Sequence, residues 1–412
     1  MLLSRDPMRN KTLLSIAVAA MLMVQVSCVS LHWRNIQSRN VDFAALLGTA
    51  RLIHDGGMPD YKPTHLGVDR DAPEQPAARP ANAPMSDSLH PPFEAFLFLP
   101  LTPFSYTTAF ILWTILNLVL LWMVPAVLWT FLPRLHSMAH ILAMVYGTFF
   151  PVLVCLMFGQ DSIVLLFLLS FSVSFLLKGK QFPGGFFLAL GLFKFQVVLP
   201  VFAVLIAMRY WRAIAGFACG TLALLLGMMA TIGPKAVFAY IRFVFAVGEH
   251  ISTHASTRTV LMPNLRGLVS LVPASLDHPG TAALFVLTLS MALLVASFVW
   301  IKSFSATPIA VQFSLAVVVA SLISYHYYIY NATILVIPML LLANELAASD
   351  ANTRTRMTFI VSSVVACGGL LCAAFAIIPL YVGMAALTIG SMGFAGAAFA
   401  LPLARQRSSN GI

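Results

Sequence analysis

Charged residues are scarce in this chain of 412 residues: they make up 9% of the sequence, against 60% hydrophobic residues. Soluble domains carry about 25% charged residues, because a folded surface must face water. The scarcity excludes a soluble globule of this size. Nucleic acid is not an expected partner either, although the net charge is +10. The composition predicts an all-α polytopic membrane protein embedded in the lipid bilayer, with Lys and Arg collected in cytoplasmic loops.

Patterns typical of disulfide, metal and nucleotide sites are also lacking. The five cysteines all lie inside apolar runs, as small hydrophobic residues do: Cys28, Cys155, Cys219, Cys367 and Cys372. No HExxH or paired-carboxylate spacing occurs, and His250 with His254 is one isolated i, i+4 pair. No Gly-rich phosphate loop follows a strand pattern. We therefore predict neither a divalent metal nor a cofactor.

Long apolar stretches recur along the chain, and a membrane-crossing helix needs about 20 such residues. Predicted spans lie near 12–32, 105–132, 139–158, 162–177, 214–233, 280–303, 308–325, 332–346, 357–378 and 384–403. The segment 181–209 has basic residues on both sides and contains Lys194. We predict a broken helical hairpin there, with two short helices meeting at Lys194, and a single span is the alternative. About twelve membrane segments then form one transmembrane domain over residues 1–412.

The distribution of charge predicts the orientation of these segments. With both termini in the cytoplasm, the predicted cytoplasmic segments have a net charge of +10 and the external segments a net charge of −1. This asymmetry follows the positive-inside rule. We expect a multi-pass protein of the plasma (inner) membrane, with the active site on the external side.

Two predicted external segments are longer than simple connections. Residues 33–92 open with an amphipathic helix over Val41–Ile53, whose apolar residues recur at helical spacing. Prolines exclude regular structure over most of the remainder. Residues 234–279 contain a second apolar helix, Ala236–Val247, followed by a polar stretch. Each loop is therefore expected to carry a helix beside the membrane.

Asp42 lies at the start of the predicted amphipathic helix. One interpretation is structural: Asn40 caps the helix, and Asp42 in its first turn complements the helix dipole. The functional alternative is a carboxylate at the outer membrane interface that takes a proton from a hydroxyl group.

Lys194 is the one basic residue inside the predicted membrane segments. An ionisable group there is energetically costly and is a candidate functional residue. At the apex of a hairpin its ammonium would suit the phosphate of a membrane lipid. The alternative is a lysine that extends from a helix end to the interface.

Further polar residues are predicted at the outer ends of spans. Gln160 precedes Asp161 in a turn between two spans, and turn formation with helix capping explains both residues. His326 follows Tyr325 in a tyrosine cluster typical of an interfacial aromatic belt, where a histidine could donate a hydrogen bond to a phosphate or a sugar. His90 precedes two prolines where the chain re-enters the membrane.

The order of several short motifs resembles glycosyltransferase family 87. The first motif lies in the first external segment: Asp42-Phe43, Ala50, Gly56 or Gly57, and Tyr61. The next lies at the re-entry and in the second span: Pro91-Pro92-Phe93, Pro100, Pro103, Trp113 and Asn117. The central and later motifs are Gly159-Gln160, Gly184-Gly185, Lys194-Phe195-Gln196, Arg209-Tyr210-Trp211-Arg212 and Ser324-Tyr325-His326 through Tyr330-Asn331. The resemblance covers roughly residues 40 to 340.

The resemblance implies a GT-C-type bundle with a catalytic carboxylate on the first external loop. It implies transfer of a hexose, with mannose expected, from a polyprenyl-phosphate donor to a glycan or glycolipid acceptor on the outer face. Asp42 would be the general base of an inverting displacement. The donor phosphate would be bound by Lys194, His326 and Arg266. A monophosphate leaving group does not by itself require a metal.

Further site candidates from the same motifs are Gln160, His90 and Tyr325. The sequence departs from the family pattern where His90 replaces a frequent Tyr, Phe195 a frequent Pro and Asn331 a frequent Asp. The last departure puts a second catalytic carboxylate in doubt.

Two other classes of protein share some of these features. A transporter or flippase for a lipid-linked or small anionic substrate would use Lys194 in its substrate path. Transporters usually contain related halves with broken helices in both, and the sequence contains one candidate break. The other class is a membrane assembly subunit whose external loops bind a partner.

Overall fold

The computed structural model describes residues 7–57, 91–253, 257–272, 279–304, 306–348, 353–374 and 376–409. The candidate site residue His90 and the proline-rich part of the first predicted external loop lie outside this range, as does His254.

The described chain is helical throughout, and no β-strand occurs in these ranges. The α-helices are α1 (Pro7–Leu31), α2 (Trp33–Gln37), α3 (Asp42–His54), α4 (Tyr106–Leu128), α5 (Ala139–Gly147), α6 (Phe150–Phe158), α7 (Ser162–Leu177), α8 (Gln181–Leu190), α9 (Phe195–Ala207), α10 (Trp211–Thr253), α11 (Leu265–Val269), α12 (Pro279–Ser303), α13 (Ile309–Ile323), α14 (Val336–Ala348), α15 (Thr353–Ala374) and α16 (Leu380–Ser409). Short 3-10 helices join several of them. The all-α prediction is confirmed.

Eight helices of the described chain are long and apolar enough to cross a membrane, or nine if the bent pair Pro133–Gly147 and Phe150–Phe158 counts as one. Two shorter apolar helices, α7 and α13, have 16 and 15 residues. The prediction of a multi-pass membrane protein is confirmed. The number of twelve segments stays a prediction.

The helix α13 lies at the centre of the bundle. Every residue from Ala310 to Leu322 is buried, as expected for a helix that is apolar on all sides. At 1.5 Å per residue its length is about 22 Å, shorter than the roughly 30 Å hydrocarbon core of a bilayer.

The broken hairpin over 181–209, with α8 and α9 as its arms, stays a prediction, and one contact of α8 favours it. A Cβ added to Gly185, in the middle of α8, would lie 1.8 Å from the carbonyl oxygen of Ala213, near the start of α10. The chain just after α9 therefore touches the middle of α8. Because the arms are helices of about 15 and 20 Å, this contact favours a reversal of the chain between them, at the 3-10 helix Gly191–Lys194. By length and composition alone, 181–207 would count as one crossing.

The helix α10 contains a sharp break at Gly233, whose φ of 80° and ψ of 161° lie outside the helical range. Pro234 follows and starts a new helical stretch, as proline often does in a first turn. The part after the break contains the predicted apolar helix Ala236–Val247. The break separates that helix from the preceding, membrane-length part of α10.

The helix α3 matches the predicted amphipathic helix to within one residue at each end. Its apolar stripe is buried: Phe43, Leu46, Leu47, Ala50 and Ile53. Its N-cap is the extended residue Val41, without a side-chain capping hydrogen bond. The interpretation that Asn40 caps this helix is therefore wrong, and the Asp42 side chain in the first turn is used elsewhere.

Candidate functional site

The carboxylate of Asp42 and the ammonium of Lys194 contact the same side chain, that of Gln160. Gln160 Nε2 donates a hydrogen bond of 2.6 Å to Asp42 Oδ2, and Lys194 Nζ donates one of 3.3 Å to Gln160 Oε1. The three residues come from α3, from the turn after α6, and from the tip of the α8–α9 hairpin. The structure thus places these three candidates together at one end of the bundle.

A tight turn at Gly159 brings Gln160 to α3. Gly159 has a φ of 63°, and a Cβ there would lie 2.7 Å from Phe43 Cβ and 2.9 Å from Phe110 Cε2. Only glycine combines this left-handed backbone with so close an approach. The Gly159 carbonyl also accepts a hydrogen bond of 2.9 Å from Trp113 Nε1. The turn, and with it Gln160, is fixed against the first residues of α3.

Lys194 also forms a buried ion pair with Asp161. The distance from Lys194 Nζ to Asp161 Oδ1 is 2.8 Å, and the two residues are 2% and 0% exposed. An isolated charge in a protein interior is strongly penalised, so a buried lysine needs a partner. Asp161 balances the charge of Lys194, which is buried in protein rather than extended to the interface.

A second buried acid, Glu94, interacts with Asp161. Glu94 is 1% exposed and lies in the 3-10 helix Pro92–Leu97. Burial raises the pKa of Glu94 well above its ordinary value; the charge of Asp161 and a hydrogen bond with its carboxylate add to the rise, and Lys194 opposes it. The raised pKa favours the protonated carboxyl group, which donates its O–H. The interactions run in a chain from Glu94 through Asp161, Lys194 and Gln160 to Asp42.

Asp42 is the end of this chain and its least buried member. Burial raises the pKa of Asp42, Asp161 adds to the rise, and the Gln160 hydrogen bond and the charge of Lys194 oppose it. A carboxylate with a raised pKa is a stronger proton acceptor. The electrostatics of Asp42 suit a general base.

The segment Ser324–Asn331 lies beside the cluster. It contains the candidates Tyr325 and His326, and it contacts Arg266 of α11. Gln196 Nε2 donates a hydrogen bond of 3.4 Å to the carbonyl of His326. Arg266 Nη1 donates one of 3.3 Å to the carbonyl of Tyr325, and its guanidinium carbon lies 4.2 Å from the centre of the Tyr325 ring. Burial lowers the pKa of Arg266, but an arginine remains charged at neutral pH.

The same segment is connected to Lys194 and to α7. Lys194 Nζ lies 5.4 Å from the centre of the Tyr330 ring, a cation–π distance. Ser162 Oγ donates a hydrogen bond of 3.0 Å to Asn331 Oδ1. Asn331, the residue that departs from the family pattern, is 2% exposed and supplies an amide rather than a carboxylate.

The sequence analysis missed two members of the cluster, Asp161 and Glu94. Asp161 was assigned to turn formation and helix capping, but it makes no capping hydrogen bond at the start of α7. The sequence does contain a signal for Glu94, because it is the one acid in an apolar run from Pro91 to Leu101. A single acid in such a run is a candidate buried functional residue. Its partner, however, is 67 residues away in the chain.

Among the residues that the structure describes, no three His, Cys, Asp or Glu side chains are grouped as metal ligands. The cluster offers instead a partly buried proton acceptor beside a set of cationic donors. This combination suits a reaction in which a hydroxyl group loses a proton while a leaving group gains negative charge.

The fold and this cluster define a polytopic membrane protein with an acid-containing polar site at one end of its helices. The family model of glycosyltransferase family 87 matches residues 89–324, more than half of the chain. The chain belongs to glycosyltransferase family 87 and is a membrane glycosyltransferase. Comparison with curated proteins and with solved structures gave no match.

Family membership confirms the resemblance and favours a transferase over the transporter and the assembly subunit. The matched range includes Glu94, Gln160, Asp161, Lys194 and Arg266. It begins after Asp42 and ends two residues before His326, so the roles of these two residues are proposals.

Proposed function

We propose that this protein transfers a hexose, with mannose expected, from a polyprenyl-phosphate sugar to a hydroxyl group of a glycan or glycolipid acceptor. Asp42 takes the proton of the acceptor hydroxyl. The acceptor oxygen forms a bond to the anomeric carbon, and the bond from that carbon to the phosphate oxygen breaks with inversion. The polyprenyl phosphate leaves with the electron pair.

The observation that carries this proposal is the hydrogen-bond chain ending on Asp42. Lys194 can only donate hydrogen bonds, so the Gln160 oxygen faces Lys194 and its amide nitrogen faces Asp42. Asp42 Oδ2 must therefore accept, which favours the ionised carboxylate. Its other oxygen, Oδ1, remains for the acceptor hydroxyl.

The departing phosphate is stabilised by cations fixed in advance. An ammonium has three N–H donors; Lys194 uses one toward Asp161 and one toward Gln160, and the third is directed to a phosphate oxygen. Arg266, in α11, and His326, in the segment Ser324–Asn331, bind the remaining oxygens. Such preorganised donors stabilise charge that develops in the transition state.

A lipid-linked donor fits the position of the site. With the termini in the cytoplasm, as the charge distribution favours, the Asp42 end of the bundle faces outward. Nucleotide sugars have no pool on that side, so the sugar must arrive on a carrier that stays in the bilayer. Such a carrier brings the donor phosphate to the site from within the bilayer.

The test of the proposed base is Asp42→Asn, which keeps the shape and removes the proton acceptor. We expect kcat for transfer from a polyprenyl-phosphate sugar to fall by roughly 10²–10⁴, with folding and membrane insertion unchanged. The control is Asp55→Asn, at the other end of α3, where the side chain is 75% exposed. Full transfer by the Asp42→Asn variant would remove Asp42 from the mechanism.

Arg266 tests the phosphate site separately from the base. Arg266→Gln should raise KM for the donor and lower kcat, since the guanidinium stabilises the leaving phosphate, while KM for the acceptor stays within about twofold. The matched control is Arg51→Gln on α3, whose guanidinium donates to the Phe104 carbonyl at 2.6 Å. Equal effects on donor and acceptor would assign Arg266 to structure alone.

A further inference from the structure

A polar pocket lies at the end of the bundle opposite to the site. It has a volume of about 350 Å³ and is lined by Ala207, Met208, Arg209, Tyr210, Ile301, Lys302 and Gln312. Arg209 and Lys302 are exposed, and no acid is among these lining residues. The pocket lies about 20 Å from Lys194 along α9, so it is separate from the proposed reaction centre.

An apolar groove continues from this pocket along α9 and α12. It has a volume of about 220 Å³ and is lined by Ala203, Val204, Ile206, Leu294, Val295 and Phe298. Lys302 Nζ, in the polar pocket, lies 4.7 Å from the centre of the Phe298 ring in the groove. The two cavities therefore adjoin, with the cations at the helix ends and the apolar surface toward the middle of the bundle.

The position of Trp211 indicates the depth of the polar pocket. Trp211 follows the lining residue Tyr210 and is 67% exposed. Tryptophan concentrates at the level of lipid headgroups. Arg209 and Lys302 thus lie at headgroup level, and the groove extends toward the acyl chains.

The backbone at Arg209 is strained. Its φ is +56°, and the hydrogen bonds from Arg209 N to Ile206 O and from Tyr210 N to Leu205 O form the helix ending that normally places glycine at this position. Residues with a strained backbone concentrate at ligand sites, where the function of the side chain offsets the energetic cost of the strain. An arginine here keeps a guanidinium at the mouth of the pocket.

We propose that this pocket and groove bind a glycerophospholipid with an anionic headgroup, in the leaflet opposite to the reaction site. The phosphate lies between Arg209 and Lys302, and one acyl chain lies in the groove between α9 and α12. The apolar groove distinguishes a lipid from a free anion, because a soluble phosphate would use the polar pocket alone.

Native mass spectrometry of the full-length protein, released from detergent with added phosphatidylglycerol or phosphatidylcholine, tests the proposal. The wild type should retain phosphatidylglycerol in preference. Arg209→Gln with Lys302→Gln should weaken that binding roughly tenfold or more, given the attraction of each basic residue for anionic lipid. The control, Lys178→Gln with Lys180→Gln, removes two exposed cations from the same end of the bundle and should change binding less than twofold.

Two further variants separate binding from folding and lipid from free anion. Arg209→Gly relieves the backbone strain, so the lipid-free protein should unfold at an equal or higher temperature while phosphatidylglycerol binding weakens by roughly threefold or more, part of the effect of the double variant. Ala203→Trp fills the groove and should abolish lipid retention, and glycerol phosphate should not compete for the wild-type site. The proposal is overturned if Lys178→Gln with Lys180→Gln weakens phosphatidylglycerol binding as much as Arg209→Gln with Lys302→Gln does. It is also overturned if Arg209→Gly binds this lipid with wild-type affinity, or if Ala203→Trp leaves lipid retention unchanged.

Discussion

The amide of Gln160 has only one orientation that satisfies both of its neighbours. Reversing it would direct the amide nitrogen at the ammonium of Lys194 and the amide oxygen at the carboxylate of Asp42, so both contacts would become repulsive. We therefore propose that Gln160 is a positioning residue whose hydrogen bond favours the ionised form of Asp42.

Gln160→Glu would replace the amide nitrogen that faces Asp42 by a second carboxylate oxygen. Because two adjacent carboxylates share a proton, the apparent pKa of the base should rise. Burial already raises the pKa of Asp42 above that of an ordinary aspartate in the wild type. In the Gln160→Glu variant we expect the acid limb of the pH dependence of kcat/KM to move to higher pH by about one unit or more. Activity should recover at alkaline pH.

Gln37→Glu, an added charge on an exposed residue at the end of α2, is the control and should leave the limb in place. Gln160→Ala removes the hydrogen bond that lowers the pKa of Asp42, so a smaller upward shift is expected. If the pH profiles of kcat/KM coincide for the Gln160→Glu variant and the wild type, the proposed role of Gln160 is contradicted.

Glu94 links stability to pH in the direction opposite to that of an ordinary salt-bridged acid. Its pKa is raised in the folded state, so the folded state binds the proton more tightly than the unfolded state. The stabilisation is fully present below the pKa of the unfolded chain and is lost as pH rises through the raised pKa.

Glu94→Gln keeps a neutral hydrogen-bond donor beside Asp161 at every pH. We expect the apparent unfolding temperature of the wild type to fall as pH rises above the ordinary glutamate pKa of about 4.3, and that of the Glu94→Gln variant to fall less, by roughly 2 °C or more. Thermal unfolding in detergent over a pH series measures this. Glu345→Gln, in α14, is the control; identical pH dependence of the Glu94→Gln variant and the wild type would show that Glu94 is not held protonated.

At the scale of elements, the contact between the Gly159 turn and α3 sets the position of the base. The Cβ of any other residue at position 159 would overlap Phe43 and Phe110. Because Phe43 directly follows Asp42, a shift of α3 away from the turn lengthens the hydrogen bond between Asp42 and Gln160.

Gly159→Ala should therefore reduce both stability and activity. We expect a loss of about 1 kcal/mol from the left-handed backbone and a further 1–3 kcal/mol from overpacking. A displacement of about 1 Å would lower kcat by up to roughly 10². Gly179→Ala, with a φ of +73° but no atom within 4 Å of its Cβ, is the matched control and should carry the backbone cost only. Equal losses would show that the approach to α3 is unimportant.

The packing of α8 in the proposed α8–α9 hairpin also depends on glycines, as the packing of the Gly159 turn against α3 does. Helices α8 and α10 touch at Gly185, and again at Gly216, whose Cβ would lie 2.0 Å from the Phe182 carbonyl oxygen. This close packing holds α8 against the first turns of α10.

At the scale of the whole molecule, the hairpin and the charge distribution together predict which end of the bundle faces outward. Single cysteines at Ser38, near the start of α3, and at Lys180, at the start of α8, test this in a variant whose native cysteines are replaced. In intact cells a membrane-impermeant maleimide should label the cysteine at 38, and the cysteine at 180 should react only after permeabilisation. Labelling of the cysteine at 180 alone in intact cells would reverse the orientation and the proposed donor side.

Much of the fold could be predicted from composition and spacing. The apolar stripe of α3 was predicted residue by residue, because helical periodicity is a local property of the chain. The sequence also predicted a separate apolar helix, Ala236–Val247, in the part of α10 that follows the break at Gly233. The site was predicted in part: Asp42, Gln160 and Lys194 were selected, whereas Asp161 was assigned to a turn and Glu94 was not selected.

The sequence by itself determined that this chain lies in a membrane, that it is helical, and where most of its apolar stretches lie, since each of these depends on neighbouring residues. Only the tertiary structure decided which polar groups meet. Gln160 reaches Asp42 across 118 residues and Lys194 across 34, and no local pattern encodes such distances. A buried charge selects its partner in space, so the pairing of Lys194 with Asp161 emerged only when the helices were packed.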